Sequence, residues 1–285
     1  MNDPTGTDGQ RPRQEDLAET TVRWLRSLQD AGLQDLGGVP PLISGELAAA
    51  RASSPAAPPP ARPQPGLPLA EEAPELPPAD QPAAVPLNRP WGPALDEAER
   101  IRRLDELNAG VRACQRCEEL ARCRRQTVFG VGTPRPRLCF FGEAPGADED
   151  RLGEPFVGRA GEMLNRIIGV CHMKREELYI LNTVKCRPPG NRNPHDDEIA
   201  RCRPWFEQQL ETLQPEFICC LGSIAARTLL QTRDSVGRLR GRFHHYRGSR
   251  VVVTYHPSYL LRTPAAKAKT WEDIQMLMQA MGVQL

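Results

Sequence analysis

Four of the nine cysteines stand at spacings that suit metal chemistry. Cys114 and Cys117 form a C-x2-C pair, Cys186 closes an apolar run, and Cys202 lies 16 residues further on. One tight pair plus two thiols from distant segments makes a four-thiolate set. Such a set suits a tetrahedral zinc ion or an iron–sulfur cluster, and spacing alone does not choose between them. Cys139, Cys219 and Cys220 lie within apolar runs and Cys171 ends an apolar helical pattern, so these read as small buried hydrophobes. Cys123, close to the pair, is ambiguous. The N-terminus is polar and acidic, without a signal-peptide pattern, and no apolar run reaches the roughly 18 residues of a membrane span. The expectation is a cytoplasmic, reducing setting, where such thiols read as ligands rather than as disulfides.

The other chemistry-bearing groups fall in short polar segments rich in Gly and Pro: GEAPG at 142–146, NTVKC at 182–186 and HPS at 256–258. Each follows a predicted strand. The strands read at 137–141 (RLCFF), 178–184 (LYILNTV), 216–221 (EFICCL) and 250–255 (RVVVTY). Helical spacing marks 96–112, 158–171, 197–213, 223–231 and 269–281. Alternating strands and helices with almost wholly apolar strands predict an α/β fold. Its expected form is a three-layer sandwich with a central four-stranded parallel sheet and helices on both faces. In such sheets ligands bind beyond the carboxyl ends of the strands, where the polar segments lie.

Upstream the composition changes. Residues 51–90 hold 13 prolines, each of which removes a backbone donor and fixes φ. Residues 1–94 are therefore expected to be a disordered arm, and 95–285 the folded domain. Within the arm, Leu17, Val22, Leu25, Leu28 and Leu33 suggest a short helix over 15–36 that docks a protein partner. Charge is split as well. Residues 1–95 carry 7 Lys/Arg against 12 Asp/Glu, leaving 30 against 24 for the rest. A basic folded part is compatible with a polyanionic partner.

Four motifs carry a resemblance. GEAPGADED (142–150), GEPFVGRAG (153–161), LNTVKCRPP (181–189) and HPSYLLR (256–262) resemble, in order and spacing, the family 4 uracil-DNA glycosylases. The resemblance implies a monofunctional hydrolase of base excision repair, acting on uracil-containing DNA as a monomer. It also implies a [4Fe-4S] cluster on Cys114, Cys117, Cys186 and Cys202. Such an enzyme flips the nucleotide into a pocket. The implied pocket residues are Gly142, Glu143, Ala144, Phe156, Asn182 and His256. Phe156 supplies a stacking ring. The Asn182 amide matches the O4/N3–H edge of uracil and mismatches cytosine. His256 donates to O2 as the base departs as an anion, and Glu143 assists the attacking water or the sugar cation. Glu149 and Asp150 are nearby carboxylates that serve equally as residues of a helix first turn. Leu260, Leu261 and Arg262 are the implied DNA-binding wedge and phosphate contact. Arg187, Arg192, Arg240 and Lys185 are further candidates for phosphate contacts. Two other readings share these residues. One is a same-fold enzyme with wider deaminated-base specificity, the other a non-catalytic DNA-binding or replication-associated module with a structural cluster.

Overall fold

The structure, a computed structural model, describes residues 87–285. The expected docking helix at 15–36 and the proline-rich stretch up to residue 86 lie outside the described residues. The described chain opens on α1 (Glu97–Ala113), whose N-cap Asp96 accepts from the Glu99 amide at 2.8 Å. The short α2 (Glu118–Cys123) follows the C-x2-C pair. Then come β1 (Val131–Gly132), β2 (Leu138–Gly142), α3 (Ala147–Leu152), α4 (Arg159–Val170) and β3 (Tyr179–Asn182). The second half contains α5 (Asp196–Leu213), β4 (Phe217–Leu221), α6 (Ser223–Leu230) and α7 (Val236–Leu239). It closes with β5 (Phe243–Tyr246), β6 (Ser249–Thr254), α8 (Pro257–Arg262) and α9 (Ala266–Met281).

Among the described residues the sheet has six strands in the order β1-β3-β2-β4-β6-β5. This corrects the expected four-stranded parallel sheet. The four predicted strands do form a parallel core, β3-β2-β4-β6, but antiparallel β1 and β5 flank it. The edges escaped prediction for physical reasons. β1 has two residues and no period to read. β5 is FHHY, half-exposed and without the apolar run of a central strand.

Side chains alternate across the sheet, so each face carries its own core. Leu138, Phe140, Ile180, Cys219 and Val252 face α4 and α9, meeting Leu164, Ile167, Trp271 and Leu277. Cys139, Phe141, Leu181, Cys220 and Val253 point the other way, onto Val111, Phe206, Leu210 and Leu229 of α1, α5 and α6. Cys139, Cys171, Cys219 and Cys220 are buried, and Cys123 is exposed at the end of α2.

Residues 87–94, assigned to the arm from sequence, lie against the domain. The Leu87 carbonyl accepts from the Arg247 amide, and the Trp91 ring meets Tyr246 edge-on at 5.8 Å, with the Arg247 guanidinium 4.5 Å over it. Gly92 donates to Glu211, and Gln214 donates to the Gly92 and Pro93 carbonyls.

Candidate active site

Parallel strands end at one edge of the sheet, which gathers the polar segments. Gly142 and Asn182, the last residues of β2 and β3, are paired in register. The chains leaving them stay zipped. Thr183 donates to the Gly142 carbonyl through both its amide and its hydroxyl, at 3.0 and 2.9 Å, and the Val184 amide reaches the Glu143 carbonyl at 3.1 Å. Only glycine fits at 142, because a Cβ there would press on Asn182 Oδ1 and lie 2.7 Å from the Phe156 ring. Glu143, Ala144, Phe156, Asn182 and His256 line one pocket of about 680 Å3 with Pro145 and Ser258. Gly142 lies against Asn182 and Phe156 beside it.

Asn182 is 2% exposed, and its Oδ1 has no hydrogen-bond partner among the described residues. A buried acceptor left unpaired costs about 1–3 kcal/mol, and this one belongs to a residue that lines the pocket. Phe156 is also held at a cost, with φ +54° in the left-handed region. Three features hold it there. A Cβ on residue 161 would run into the Phe156 carbonyl, so Gly161 leaves the room this turn needs. Arg175 donates to the Pro155 carbonyl. The Glu149 carboxylate accepts from Gly146 at 3.0 Å, Val157 at 3.1 Å and Gly158 at 3.2 Å, tying the two loops around the pocket together. Asp150, 1% exposed, braces the Arg125 amide at 2.9 Å and does not line the pocket.

His256 caps the first turn of α8. Its Nδ1 accepts from the Ser258 amide at 3.2 Å and lies 2.8 Å from the Ser258 hydroxyl. A backbone N–H can only donate, so Nδ1 is unprotonated and the neutral ring carries its proton on Nε2. Burial, with the Arg262 charge adding to it, pulls the imidazole down to about 4. At neutral pH His256 is therefore an uncharged N–H donor, its ring 5.5 Å from that of Phe156 at 35°. Burial also raises the Glu143 carboxyl above the usual range.

On the other side of the Asn182–Cys186 segment is a second, small cavity. Cys114, Cys117, Cys186 and Cys202 line it, together with Arg116, Arg124, Lys185, Arg201 and Trp205. It brings the four spaced cysteines together from the end of α1, the turn after it, the exit of β3 and the middle of α5. Arg124 donates to Cys186 Sγ at 3.0 Å and to the Cys114 carbonyl at 2.7 Å. Among the described residues no group of three Cys, His, Asp or Glu side chains is placed to hold a metal ion. Burial pushes the Cys117 thiol up to about 11 and Cys202 up to about 12, so without a bound cation these sulfurs are protonated. A four-thiol wall backed by cationic side chains fits an anionic thiolate cluster in donor type and in charge.

Residues 129–275 match the uracil-DNA glycosylase superfamily model. A type-4 uracil-DNA glycosylase of Saccharolobus solfataricus is 38% identical over 188 residues, 63% of this chain and 87% of that protein. Its Archaeoglobus fulgidus counterpart is 34% identical over 187 residues, 63% and 94%. The chain belongs to the type-4 uracil-DNA glycosylases. A type-5 enzyme of Thermus thermophilus is 30% identical over 182 residues, 51% of this chain and 83% of that protein. The superfamily match contains every pocket residue with Cys186 and Cys202, and it begins after Cys114 and Cys117.

Beside the pocket runs an open groove of about 1160 Å3. It shares Glu143, Ala144, His256 and Ser258 with the pocket and adds Tyr255, Tyr259 and Arg262. Here the implied wedge needs correcting. Leu260 is 1% exposed and belongs to the core, because α8 packs against α4 and α9. The apolar side chains that reach solvent are Leu261, 42% exposed, and Tyr259, stacked on Tyr255 at 5.2 Å. The further phosphate candidates also change. Lys185 is 1% exposed and cannot reach DNA. Arg240 is tied to Asp273 and Glu272, and Arg192 to Glu198 and Glu119. Arg187 reaches Asn191.

Proposed function

We propose that this chain is a hydrolase that removes uracil from DNA by cleaving the N-glycosidic bond of a flipped-out deoxyuridine. The observation that carries the reading is the buried Asn182 amide, unpartnered at Oδ1, in a pocket also lined by Phe156 and His256. Asn182 Oδ1 accepts from uracil N3–H and its amide nitrogen donates to O4. The Phe156 ring stacks on the base. As the bond to C1′ breaks, its electron pair leaves with N1, and negative charge develops on O2. The neutral His256 donates to O2 through Nε2–H, an interaction that strengthens as the transition state forms. Water then bonds to C1′, and its proton passes to Glu143, whose raised affinity for a proton suits that task. Leu261 and Tyr259 fill the gap left by the flipped nucleotide and Arg262 holds a phosphate.

The same reading assigns Cys114, Cys117, Cys186 and Cys202 as holders of a [4Fe-4S] cluster. Four cysteines lining one cavity beside Arg124 and Lys185 support this assignment. Held by these four residues, such a group would tie together the end of α1, the exit of β3 and α5. Four cysteines read as metal ligands and five further free cysteines support a reducing, cytoplasmic setting. Among the described residues no helix is long and apolar enough to cross a membrane.

The test is direct. The purified chain is incubated with a uracil-containing oligonucleotide, then treated with alkali, which cuts abasic sites. Strand cleavage is expected with uracil and not with cytosine; an intact strand would leave a DNA-binding module. A matching oligonucleotide with hypoxanthine measures breadth of specificity. Anaerobically purified protein should be brown and hold about four irons per chain. Zinc without iron would remove the cluster while leaving excision standing.

A further inference from the structure

Lys185 has no part in the chemistry above, yet it is among the most deeply buried side chains of the domain, 1% exposed. Its ammonium donates to the Asn182 carbonyl at 3.0 Å and to the Phe129 carbonyl at 3.1 Å. Its own carbonyl accepts from the Val128 amide at 2.8 Å. Among the described residues no carboxylate forms an ion pair with it. A buried cation without an opposite charge is expensive, two carbonyl dipoles offset that only in part, and burial pulls this amine down to about 7. The ionisable groups that face it are the thiols of Cys186 and Cys202, in the cavity it helps to line. One side chain thus touches both halves of the molecule, the backbone of the base reader and the wall of the thiol cavity.

We propose that Lys185 is a positioning residue that couples the loaded thiol site to the base pocket. The anionic cluster supplies the missing counter-charge and keeps the ammonium in place. The ammonium in turn fixes the carbonyl of Asn182, and so the amide that meets uracil. The coupling rests on the iron–sulfur reading above.

Two variants of the holoprotein separate the charge from the hydrogen bond. Lys185→Met removes both, while Lys185→Gln keeps a donor for the Asn182 carbonyl and loses only the charge. Both should retain iron, and in both the cluster's midpoint potential should move to more negative values, because a nearby positive charge favours the reduced state. Single-turnover uracil excision should fall on the order of 10²-fold in Lys185→Met, the usual result of shifting a positioned group by about 1 Å. It should fall less than about tenfold in Lys185→Gln. Affinity for DNA carrying a stable abasic-site analogue should stay within about twofold in both, since that ligand has no base for Asn182 to read. An unchanged potential, unchanged excision, or an equal loss of abasic-DNA binding would overturn the coupling. Loss of iron from both variants would overturn it too, by making Lys185 part of what builds the site. Zinc in the wild-type protein, with excision intact, would remove the cluster and the coupling together and leave the glycosylase reading untouched.

Discussion

Asn182 and Cys186 are four positions apart, but the two sites they serve are completed in different ways. The base pocket is finished by the fold itself. Two paired strand ends, a glycine with no room for a Cβ and a carboxylate holding three amides fix Asn182 and Phe156 before any ligand arrives. The thiol cavity brings its four cysteines together, but burial holds Cys117 and Cys202 as thiols until a cation binds them. The first site is preorganised, so its mutations should change rate and base selectivity. The second depends on what it binds, so its mutations should change folding and metal content.

Asn182→Asp should have the largest effect. It replaces the donating nitrogen with an acceptor that repels uracil O4, and excision should fall 10³-fold or more. A single-turnover assay on a uracil oligonucleotide measures it, and iron content should not change. Near-normal excision would move base reading to the backbone around Gly142–Gly146. Next comes His256→Ala, expected to slow single-turnover excision by about 10²–10³-fold, the usual cost of one such donor, with DNA affinity little altered. Glu149→Gln keeps only one side able to accept from the three amides. Excision should drop on the order of tenfold through a looser Phe156. Recovery in Glu149→Asp would argue that the carboxylate is needed at the loops.

Much of this was legible in the sequence, and the exceptions are instructive. Central strands show because a strand buried on both faces must be apolar throughout. Leu178–Val184 and Glu216–Leu221 could hardly be anything else. Edge strands need no such pattern, and Phe243–Tyr246 hid behind its two histidines. Backbone geometry marks only the polar, Gly- and Pro-rich segments at the strand ends; the pocket residues among them are named through the family resemblance of the four motifs. What could not be read was direction. Nothing in the pair Leu260–Leu261 says which leucine faces the core, and nothing in the string NTVKC says that its lysine turns inward.

Smaller effects sharpen the boundary of the folded unit and the state of His256. A chain starting at Leu87 should keep the full melting temperature and excision rate, whereas one starting at Ala94 loses Trp91 from Tyr246 and Arg247 and should melt about 5 °C lower. Equal melting would make residues 87–93 dispensable. The imidazole of His256 binds its proton at about 4 in the folded state, against an ordinary value of 6.5. The unfolded chain then binds more protons between those values. The resulting stability is present above pH 6.5 and lost as the pH falls towards 4. Melting followed over that window should show a shallower slope in His256→Gln than in the wild type.

The central claim is that His256, as a neutral donor, stabilises the departing uracil anion. Leaving-group dependence tests it most directly. Wild-type and His256→Ala protein are compared in single-turnover excision of uracil and of 5-fluorouracil, whose anion needs less help to leave. The account predicts a large defect for His256→Ala on uracil and a much smaller one on 5-fluorouracil. Equal defects on the two bases, or a defect confined to DNA binding, would contradict it.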